Sequence, residues 1–346
     1  MTRNNLMIIK EIKLELKHYY LKNKLQTSNY IHESRDSWII SIKDDLGNEG
    51  FGEASPLQIF NSESNLEAGY SLDGFKLALS DINDEIDIEE LMLLSDVHTL
   101  DNPSAAFAIQ TALFDLVSKV NKKTVSSYIN QNSSLKLKCN GIYNLTNLEN
   151  YSTIKIKCGF RNLFDELELI ESLSKKFNNS SFIIDLNQNY DLPKAIRFFK
   201  EVEKYNIKYI EQPIDKDNLL DIEELRYHSD IPIALDESVI DITSIEKILD
   251  RNAADIFILK PQSLGTYKNI NKAIELVKES NKIPILTCSL EGSIGRFATM
   301  HIAAINNIDW ACGLAMEKIY IHEKHTFPKV KDGQFTIPIK NGLGIL

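Results

Sequence analysis

The sequence has few of the residues that disulfide and thiolate-metal sites require. Its 346 residues include only four cysteines and seven histidines. The cysteines show no zinc-ligand spacing, and most lie in or beside apolar, strand-like runs: Cys139, Cys158, Cys288 and Cys312. We therefore expect reduced thiols in or near the core of a cytoplasmic protein. The histidines show no paired spacing either, so we expect them on the surface.

Long apolar runs and clusters of basic residues are also absent. No segment approaches the roughly 18 apolar residues that cross a membrane, and residues 1–6 lack the apolar core of a signal peptide. A net charge of −10 without a run of lysine or arginine argues against nucleic-acid and membrane partners. The hydrophobic share of 43% is typical of a globular protein with a full core. We expect a cytoplasmic protein, and the composition leaves its oligomeric state open.

Five short apolar runs between residues 153 and 260 each end on or near a charged residue. The charges lie about 24 to 28 residues apart, close to what one strand, one helix and two short loops need. This period predicts β/α units in series, with each charge at the carboxyl end of its strand, where parallel barrels build their active sites. The runs are Thr153–Lys157, Phe182–Asp185, Lys208–Glu211, Ile233–Asp236 and Ile256–Lys260.

Further runs complete a predicted eight-stranded barrel over residues 131–318. They are Leu135–Asn140 at its start, Pro284–Thr287, and Ile308–Cys312. Residues 141–152 are barely long enough for a crossover, so we expect the first helix of the barrel to be short or missing. Residues 1–130 form a predicted α+β domain, in which the polar stretch Lys22–Glu33 predicts a loop between two strands. Residues 319–346 predict turns and one strand that return to that domain.

Asp185, Glu211 and Asp236 stand at the ends of three successive predicted strands. One such carboxylate is commonly solvated or caps the next helix, but three together repel one another unless a cation lies among them. Ligation by carboxylate oxygens suits Mg²⁺, which keeps coordination positions open for water or substrate. We therefore predict an Mg²⁺ site, with Mn²⁺ as an alternative ion. The absence of His and Cys from these strand ends argues against zinc and copper.

Lys155 and Lys157 lie two residues apart and so share one face of their strand. Neighbouring ammonium groups lower each other's pKa, and a nearby divalent cation lowers it further, so one lysine can act as a general base near pH 7. Lys260 can approach a ligand from the opposed side, because the carboxylate strands lie between. The alternative is an ordinary set of salt bridges. The combination suits abstraction of a proton α to the carboxylate of a small-molecule substrate.

Five motifs, in order along nearly the whole chain, resemble the enolase superfamily and in particular its muconate-lactonising-enzyme subgroup. They are Lys155-Ile156-Lys157, Asp185-Leu186-Asn187, Glu211-Gln212-Pro213, Asp236-Glu237-Ser238 and Lys260-Pro261. The resemblance implies a (β/α)7β barrel with an N-terminal α+β capping domain that the C-terminal segment completes. It extends to Gly342–Ile345 near the carboxyl end.

The resemblance also implies a role for each charged residue. Asp185, Glu211 and Asp236 would bind Mg²⁺. Lys157 would be the acid/base, Lys155 its electrostatic tuner, and Lys260 the lysine on the opposite face. Asn187 and Glu237 would be neighbours of the site rather than metal ligands.

The shared lysines and carboxylates do not decide the reaction within the subgroup. Dipeptide epimerases usually carry Asp-x-Asp at the eighth strand, where Asp309–Leu314 has no second carboxylate. Ala311–Ala315, Gly52–Leu57 and Ser289–Gly295 look like the corresponding stretches of o-succinylbenzoate synthases. We therefore expect dehydration of 2-succinyl-6-hydroxy-2,4-cyclohexadiene-1-carboxylate to o-succinylbenzoate, a step of menaquinone biosynthesis. The alternative is a racemase of N-succinylamino acids or a dipeptide epimerase, and the full lysine set argues against a non-catalytic binding barrel.

The loop Ser289–Gly295 would line the pocket for the distal succinyl group of the substrate. We expect Ser289, Glu291, Gly292 and Gly313 to contact the substrate. Without the resemblance, a loop rich in Gly and Ser before a helix equally suits a phosphate group, which would indicate a phospho-sugar enzyme.

Overall fold

The computed structural model describes residues 6–26, 31–60, 62–80, 82, 84–314, 316–323 and 325–345. Its amino-terminal part packs helices on an antiparallel sheet of order β2-β3-β4. The strands are β1 (Leu6–Met7), β2 (Ile9–Gln26), β3 (Ile31–Asp44), β4 (Glu49–Ala54) and β5 (Ile86–Asp87). The helices are α1 (Asn65–Ala78), α2 (Ile88–His98), α3 (Pro103–Val120) and α4 (Val125–Ile129).

Strand β4 packs directly on α3 because glycine stands where the two backbones meet. A Cβ atom on Gly52 would lie 1.8 Å from the carbonyl oxygen of Ala108. Any larger residue would push the strand away from the helix, so the close approach depends on this glycine. The contact helps to bury the apolar core of the capping domain, which includes Ile40, Ile42, Leu72 and Leu113.

The long hairpin of β2 and β3 corrects one prediction. Its pairing continues to Gln26 and Ile31, whereas Lys22–Glu33 was expected to be a loop; residues 27–30 of that stretch lie outside the described chain. From residue 15 to residue 23 every side chain is exposed or half-buried. Exposed and half-buried side chains alternate from residue 16 to residue 22, but both faces carry polar as well as apolar residues, so the sequence lacks the apolar–polar alternation that predicts a half-buried strand.

The barrel sheet in the described chain has seven parallel strands in the order β7-β8-β9-β10-β11-β12-β13. Bridges from Thr287 to Gly313 and from Cys312 to Cys139 close the ring. The predicted (β/α)7β barrel with an N-terminal capping domain is confirmed. The seven strands are β7 (Gly141–Ile142), β8 (Thr153–Lys157), β9 (Ser181–Asp185), β10 (Ile207–Glu211), β11 (Ile233–Leu235), β12 (Ile256–Leu259) and β13 (Ile283–Leu286), and β6 (Lys136–Lys138) precedes them in a separate sheet. The helices are α5 (Leu163–Lys176), α6 (Leu192–Val202), α7 (Leu219–Leu225), α8 (Ile242–Asp250), α9 (Pro261–Leu264), α10 (Tyr267–Glu279) and α11 (Ser293–Ile305).

The first and eighth barrel strands differ from the predicted runs. The centre of Leu135–Asn140 is β6, which pairs antiparallel with β14 (Gln334–Thr336) and not with the barrel. The end of the run does join the barrel, because Cys139 bridges Cys312 and the backbone N–H of Asn140 donates to the carbonyl oxygen of Cys312 at 3.2 Å. The strand then continues as β7. Of Ile308–Cys312, the barrel bridges involve the last residue and the following Gly313. The first crossover holds one 3-10 turn, Leu148–Asn150, as expected.

The C-terminal segment returns to the capping domain through its last turns. Gly342 forms a bridge with Thr124, and the backbone N–H of Leu343 donates to Asp115 Oδ1 at 2.7 Å. The bounds 1–130, 131–318 and 319–346 remain predictions. The cysteines are all free, and three of them are buried, as expected. Within the described ranges, each helix falls short of the length and apolarity that a bilayer crossing demands.

His301 is buried in α11, which corrects the expectation that the histidines lie on the surface. Its Nδ1 accepts from the backbone N–H of Ser126 at 3.3 Å, and its Nε2 lies 3.2 Å from the carbonyl oxygen of Leu343. Since Nδ1 is an acceptor, the neutral ring donates through Nε2. The ring therefore ties α4 and the C-terminal segment to the barrel. Burial lowers the pKa of His301 to about 4.

Protonation of His301 should make the protein less stable at acid pH. The unfolded chain binds this proton below its ordinary pKa of 6.5, whereas the folded chain binds it only below about 4. The contribution is therefore complete above pH 6.5 and is lost as the pH falls towards 4, by roughly 3 kcal/mol. Urea unfolding of wild type and His301→Gln between pH 7.5 and 4.5 would measure it. The change of the free energy of unfolding with pH should be smaller in His301→Gln than in wild type, and should persist in His228→Gln. An equal change with pH in all three proteins would contradict the assignment to His301.

Candidate active site

The charged ends of the barrel strands meet around one pocket at the carboxyl edge of the sheet. In the paired register, Lys157 of β8 lies opposite Asp185 of β9, and Asp185 lies opposite Glu211 of β10. Asp236 and Lys260 directly follow β11 and β12. All five side chains line the same pocket. The tertiary structure thus gathers the charges that the strand period placed at one edge.

Lys155, which also lines this pocket, connects two of the carboxylates. Its Nζ lies 3.0 Å from Asp185 Oδ2 and 2.6 Å from Glu211 Oε1. Burial alone would lower the pKa of Lys155, but these two carboxylates raise it well above its ordinary value. Burial likewise acts to raise the pKa of Asp185, but Lys155 and Lys157 hold it below its ordinary value. Lys155 is therefore paired as a cation with both carboxylates in this structure.

Lys157 has a different environment, although it lies only two residues further along β8. Its Nζ donates to Asn187 Oδ1 at 3.0 Å and lies 3.9 Å from Asp185 Oδ2. Asn187 in turn donates through Nδ2 to Glu237 Oε1 at 3.2 Å. The two predicted neighbours of the site, Asn187 and Glu237, thus form a hydrogen-bonded chain from Lys157. A neutral amide holds an ammonium group less strongly than a carboxylate does, so Lys157 is better placed than Lys155 to transfer a proton.

Lys260 lies across the pocket from Lys157. In the described ring, three strands separate β8 from β12 on either side, so their ends face each other. Lys260 is 5% exposed and forms an ion pair with Asp236. Burial lowers the pKa of Lys260 to about 7, although the carboxylate of Glu211 acts to raise it. A lysine that is partly neutral near pH 7 can both accept and donate a proton.

At the strand ends of this pocket, four carboxylates stand beside three lysines, Lys155, Lys157 and Lys260. Asp185, Glu211, Asp236 and Glu237 are all buried. Glu237 Oε2 has no hydrogen-bond partner in the described chain, and burial, reinforced by Asp185 and Glu211, raises the pKa of Glu237 to about 7. An unpartnered oxygen within a surplus of carboxylates fits a divalent cation with oxygen ligands. Among the described residues, no three Asp, Glu, His or Cys side chains lie close enough together to coordinate one ion. Lys155 lies between the carboxylates of Asp185 and Glu211.

Two of the four predicted substrate contacts line the pocket. Ser289 follows the seventh strand of the ring, and Gly313 forms part of the eighth. The hydroxyl oxygen of Ser289 is buried and has no hydrogen-bond partner in the part of the chain that is described, and the same holds for Thr287. Both hydroxyl groups are therefore available to a ligand.

Glu291 and Gly292 are not among the residues that line the pocket, and substrate contact by the four residues stays a prediction. The carboxylate of Glu291 turns back and accepts from the backbone N–H of Ser289. The N–H of Gly292 donates to Glu53 Oε1 at 2.6 Å, and that of Gly295 donates to Glu53 Oε2 at 2.9 Å. Glu53 comes from the capping domain and caps α11, whose own N-cap residue supplies no side-chain hydrogen bond. The polar groups of this loop thus join the two domains.

Sequence reasoning missed the parts of the pocket wall that do not stand at strand ends. These residues come from the capping domain, from the first barrel strand and from the segment after the eighth strand. These residues do not follow the spacing of apolar runs from which the strand ends were predicted. For Phe60, the only signal in the sequence is an apolar residue within a loop. They include Lys22, Leu57, Phe60, Asn140 and Lys318.

Residues 144–346 match the family model described as enolase C-terminal domain-like. The chain belongs to this family. The enolase-superfamily resemblance is therefore confirmed, with the charged strand ends in the matched region. In this family, the L-Ala-D/L-Glu epimerase of Francisella tularensis subsp. novicida is 25% identical over 316 residues, or 83% of this chain and 85% of the relative. The o-succinylbenzoate synthase of Bacillus subtilis is 26% identical over 199 residues, or 57% of this chain and 53% of the synthase.

Solved structures share the complete fold. The N-succinyl Arg/Lys racemase from Bacillus cereus ATCC 14579 has a TM-score of 0.85 at 21% identity, covering 98% of this chain and 95% of that chain. The dipeptide epimerase from Enterococcus faecalis V583 complexed with Mg and dipeptide L-Leu-L-Tyr has a TM-score of 0.85 at 19% identity, covering 98% and 99%. The synthase matches about half of this chain and the epimerase most of it. The racemase or epimerase alternative is thus better supported than the synthase prediction.

Proposed function

We propose that this protein is a racemase or epimerase that inverts the carbon α to a carboxylate in an amino-acid derivative. The observation that carries the choice of inversion over dehydration is the match of an L-Ala-D/L-Glu epimerase to 83% of the chain. The placement of Lys157 and Lys260 on opposed sides of one pocket is the geometry that inversion needs. Inversion requires that a proton leaves one face of the carbon and that another arrives on the opposite face. Dehydration to o-succinylbenzoate, the outcome expected from the motifs, needs a base on one face only. The epimerase relative supports the same choice.

Asp185, Glu211 and Asp236 would hold Mg²⁺, or Mn²⁺ in its place, with Glu237 beside them. The surplus of buried carboxylates and the unpartnered Glu237 Oε2 support this assignment. So does the Mg named in the complex of the Enterococcus faecalis enzyme. When bound, the ion stabilises the negative charge that develops on the substrate carboxylate as the α-proton leaves.

The two lysines divide the proton transfer between them. For one enantiomer, the neutral amine of Lys260 takes the α-proton, and the electron pair of the C–H bond stays on the substrate. The ammonium group of Lys157 then donates a proton to the opposite face. For the other enantiomer the two roles are exchanged. Lys155 remains charged throughout and keeps the carboxylates of Asp185 and Glu211 in place.

The distal part of the pocket favours a substrate with an acidic acyl group. Two exposed lysines, Lys22 and Lys318, also line the pocket, and every described carboxylate of the pocket belongs to the cluster at the strand ends. Asp309, the acidic residue of the predicted eighth strand, is paired with Lys138 outside the pocket. A free substrate ammonium would therefore face like charges, whereas a carboxylate would be paired. An N-acylated amino acid whose acyl group ends in a carboxylate, such as an N-succinylamino acid, meets these requirements.

Epimerisation of a dipeptide is the second candidate, because a relative that matches most of the chain is an L-Ala-D/L-Glu epimerase. The test is to incubate purified protein and Mg²⁺ with N-succinyl-L-amino acids, with L-Ala-L-Glu and with the cyclohexadiene acid. Chiral chromatography should detect inversion of N-succinyl substrates and negligible epimerisation of L-Ala-L-Glu. If L-Ala-L-Glu is turned over faster than the N-succinylamino acids, the substrate class is dipeptides and not N-succinylamino acids. Dehydration without inversion of any substrate would overturn the proposal itself.

Reversing the charge of Lys318 should change which substrates are accepted. In Lys318→Glu, a carboxylate would face the acidic acyl group, so kcat/KM for N-succinyl substrates should fall by about 30-fold, mainly through KM. Turnover of L-Ala-L-Glu should rise, since its ammonium group gains a partner. The matched control is Lys340→Glu, an exposed lysine outside the pocket. If both variants retain the wild-type substrate preference, Lys318 does not contact the distal group.

A further inference from the structure

The capping domain places an aromatic ring over one of the two pocket lysines. Phe60 ends the 3-10 turn Gln58–Phe60, which follows β4. The Nζ of Lys260 lies 3.8 Å from the centroid of its ring. Both residues are buried, and Asp236 contacts the same ammonium group. Lys260 is therefore held between a carboxylate and an aromatic face.

Hydrogen bonds between the two domains set the position of Phe60. Gln262, two residues after Lys260, donates through Nε2 to the carbonyl oxygen of Glu53 at 2.9 Å. Its Oε1 accepts from the backbone N–H of Ser55 at 3.0 Å. The buried carboxamide thus pairs with the end of β4 as a neighbouring peptide group would. The loop that carries Phe60 and the turn that carries Lys260 are fixed to each other at this point.

We propose that Phe60 is a positioning residue for Lys260: its ring keeps water from the ammonium group and directs Nζ towards the substrate carbon. This inference rests on the proposed function, in which Lys260 serves one face of that carbon. An ammonium group is attracted to the face of an aromatic ring, and more strongly when both are out of water. The Lys260 side chain is 6% exposed, compared with 23% for Lys157. The capping domain thus shields one of the two proton-transfer groups more than the other.

Shielding can be tested without turnover, by reductive methylation with formaldehyde and a mild borane. Phe60→Leu and Phe60→Met keep apolar bulk but lack the ring, Phe60→Tyr keeps the ring, and Phe164→Leu removes a 74% exposed ring elsewhere. Peptide mass spectrometry would compare methylation of Lys260 with that of Lys157. The Leu and Met variants should raise this ratio about tenfold, and the other two should match wild type. An unchanged ratio in both Phe60→Leu and Phe60→Met would overturn the shielding.

Positioning has its own readout in the exchange of the α-proton of each enantiomer with D₂O. Phe60→Leu should slow exchange at the face that Lys260 serves by about tenfold, and exchange at the Lys157 face by less than about twofold. Inversion should slow equally in both directions, because the equilibrium between enantiomers is unchanged, and Phe60→Tyr should restore it. Equal losses at both faces would overturn the positioning role. If wild type exchanges neither enantiomer, the proposed function fails, while the methylation ratio still decides whether Phe60 covers Lys260.

Discussion

Replacement of either proton-transfer lysine by methionine is expected to lower the rate of inversion by at least about 1000-fold, whereas exchange of the α-proton of one enantiomer should remain. Methionine fills a similar volume but has no proton to transfer. Lys260→Met should still exchange the α-proton of one enantiomer with D₂O through Lys157. Lys157→Met should exchange that of the other enantiomer through Lys260. Chiral chromatography would measure the inversion, and proton NMR in D₂O would measure the exchange.

The pattern across the lysine variants distinguishes two bases from one. Lys155→Met should stop both exchanges, because Asp185 and Glu211 lose the cation that lies between them. Lys175→Met, at a lysine with a 75% exposed side chain, is the matched control and should behave as wild type. Retention of more than about a tenth of the inversion rate in Lys157→Met or Lys260→Met would exclude the two-base mechanism. Exchange of the same enantiomer by both variants would exclude it as well.

Loss of any one proposed metal ligand is expected to lower activity by about 1000-fold. Asp185→Asn, Glu211→Gln and Asp236→Asn each remove one negative charge with little change of shape, so the barrel should stay folded. The ion should bind much more weakly in all three, because a neutral amide is a poorer ligand than a carboxylate. Mn²⁺ titration followed by electron paramagnetic resonance would measure the affinity directly, and circular dichroism would check the fold.

Removal of the ion from the wild-type protein gives the complementary result. Dialysis against a chelator should abolish inversion, and added Mg²⁺ should restore it. Glu237→Gln is the graded control: as a neighbour of the ligands, it should weaken binding by only about tenfold. If the protein keeps full activity after treatment with the chelator, or if any of the three ligand variants does, the reaction does not require the ion.

The barrel and its charged rim could be predicted because local patterns encode them. Each central strand is a short run of apolar residues that ends on a charge, and the spacing of these ends matches one β/α unit. Lys157, Asp185 and Glu211 thus follow from the chain itself, since parallel strands end at one edge of their sheet. The same reasoning was less accurate where the barrel closes, because a strand from a distant part of the chain pairs with the predicted first strand. The C-terminal strand β14 pairs with β6, so only the end of the predicted first run, at Cys139 and Asn140, joins the barrel.

The sequence also does not indicate which hydrogen-bond partner each buried polar group has in the folded protein. Glu291 stands in a loop that suits ligand binding, yet its carboxylate accepts from the backbone of its own loop. The N–H of Gly292 is bound by Glu53, which lies far away in the chain. A buried polar group binds whatever complementary group the fold brings near. Which group that is depends on the packing of the two domains.

The sequence alone was enough to predict the barrel and the lysines and carboxylates at its rim, and from them to expect proton chemistry next to a carboxylate. Strand periodicity is local and survives without knowledge of distant contacts. Folding shows which groups surround these side chains: Phe60 lies over Lys260, and Lys318 lines the same pocket. These contacts join segments that are remote in the chain, and no local pattern encodes them. The choice of substrate lies in such contacts, because the metal-binding and proton-transfer groups are common to several reactions of the superfamily.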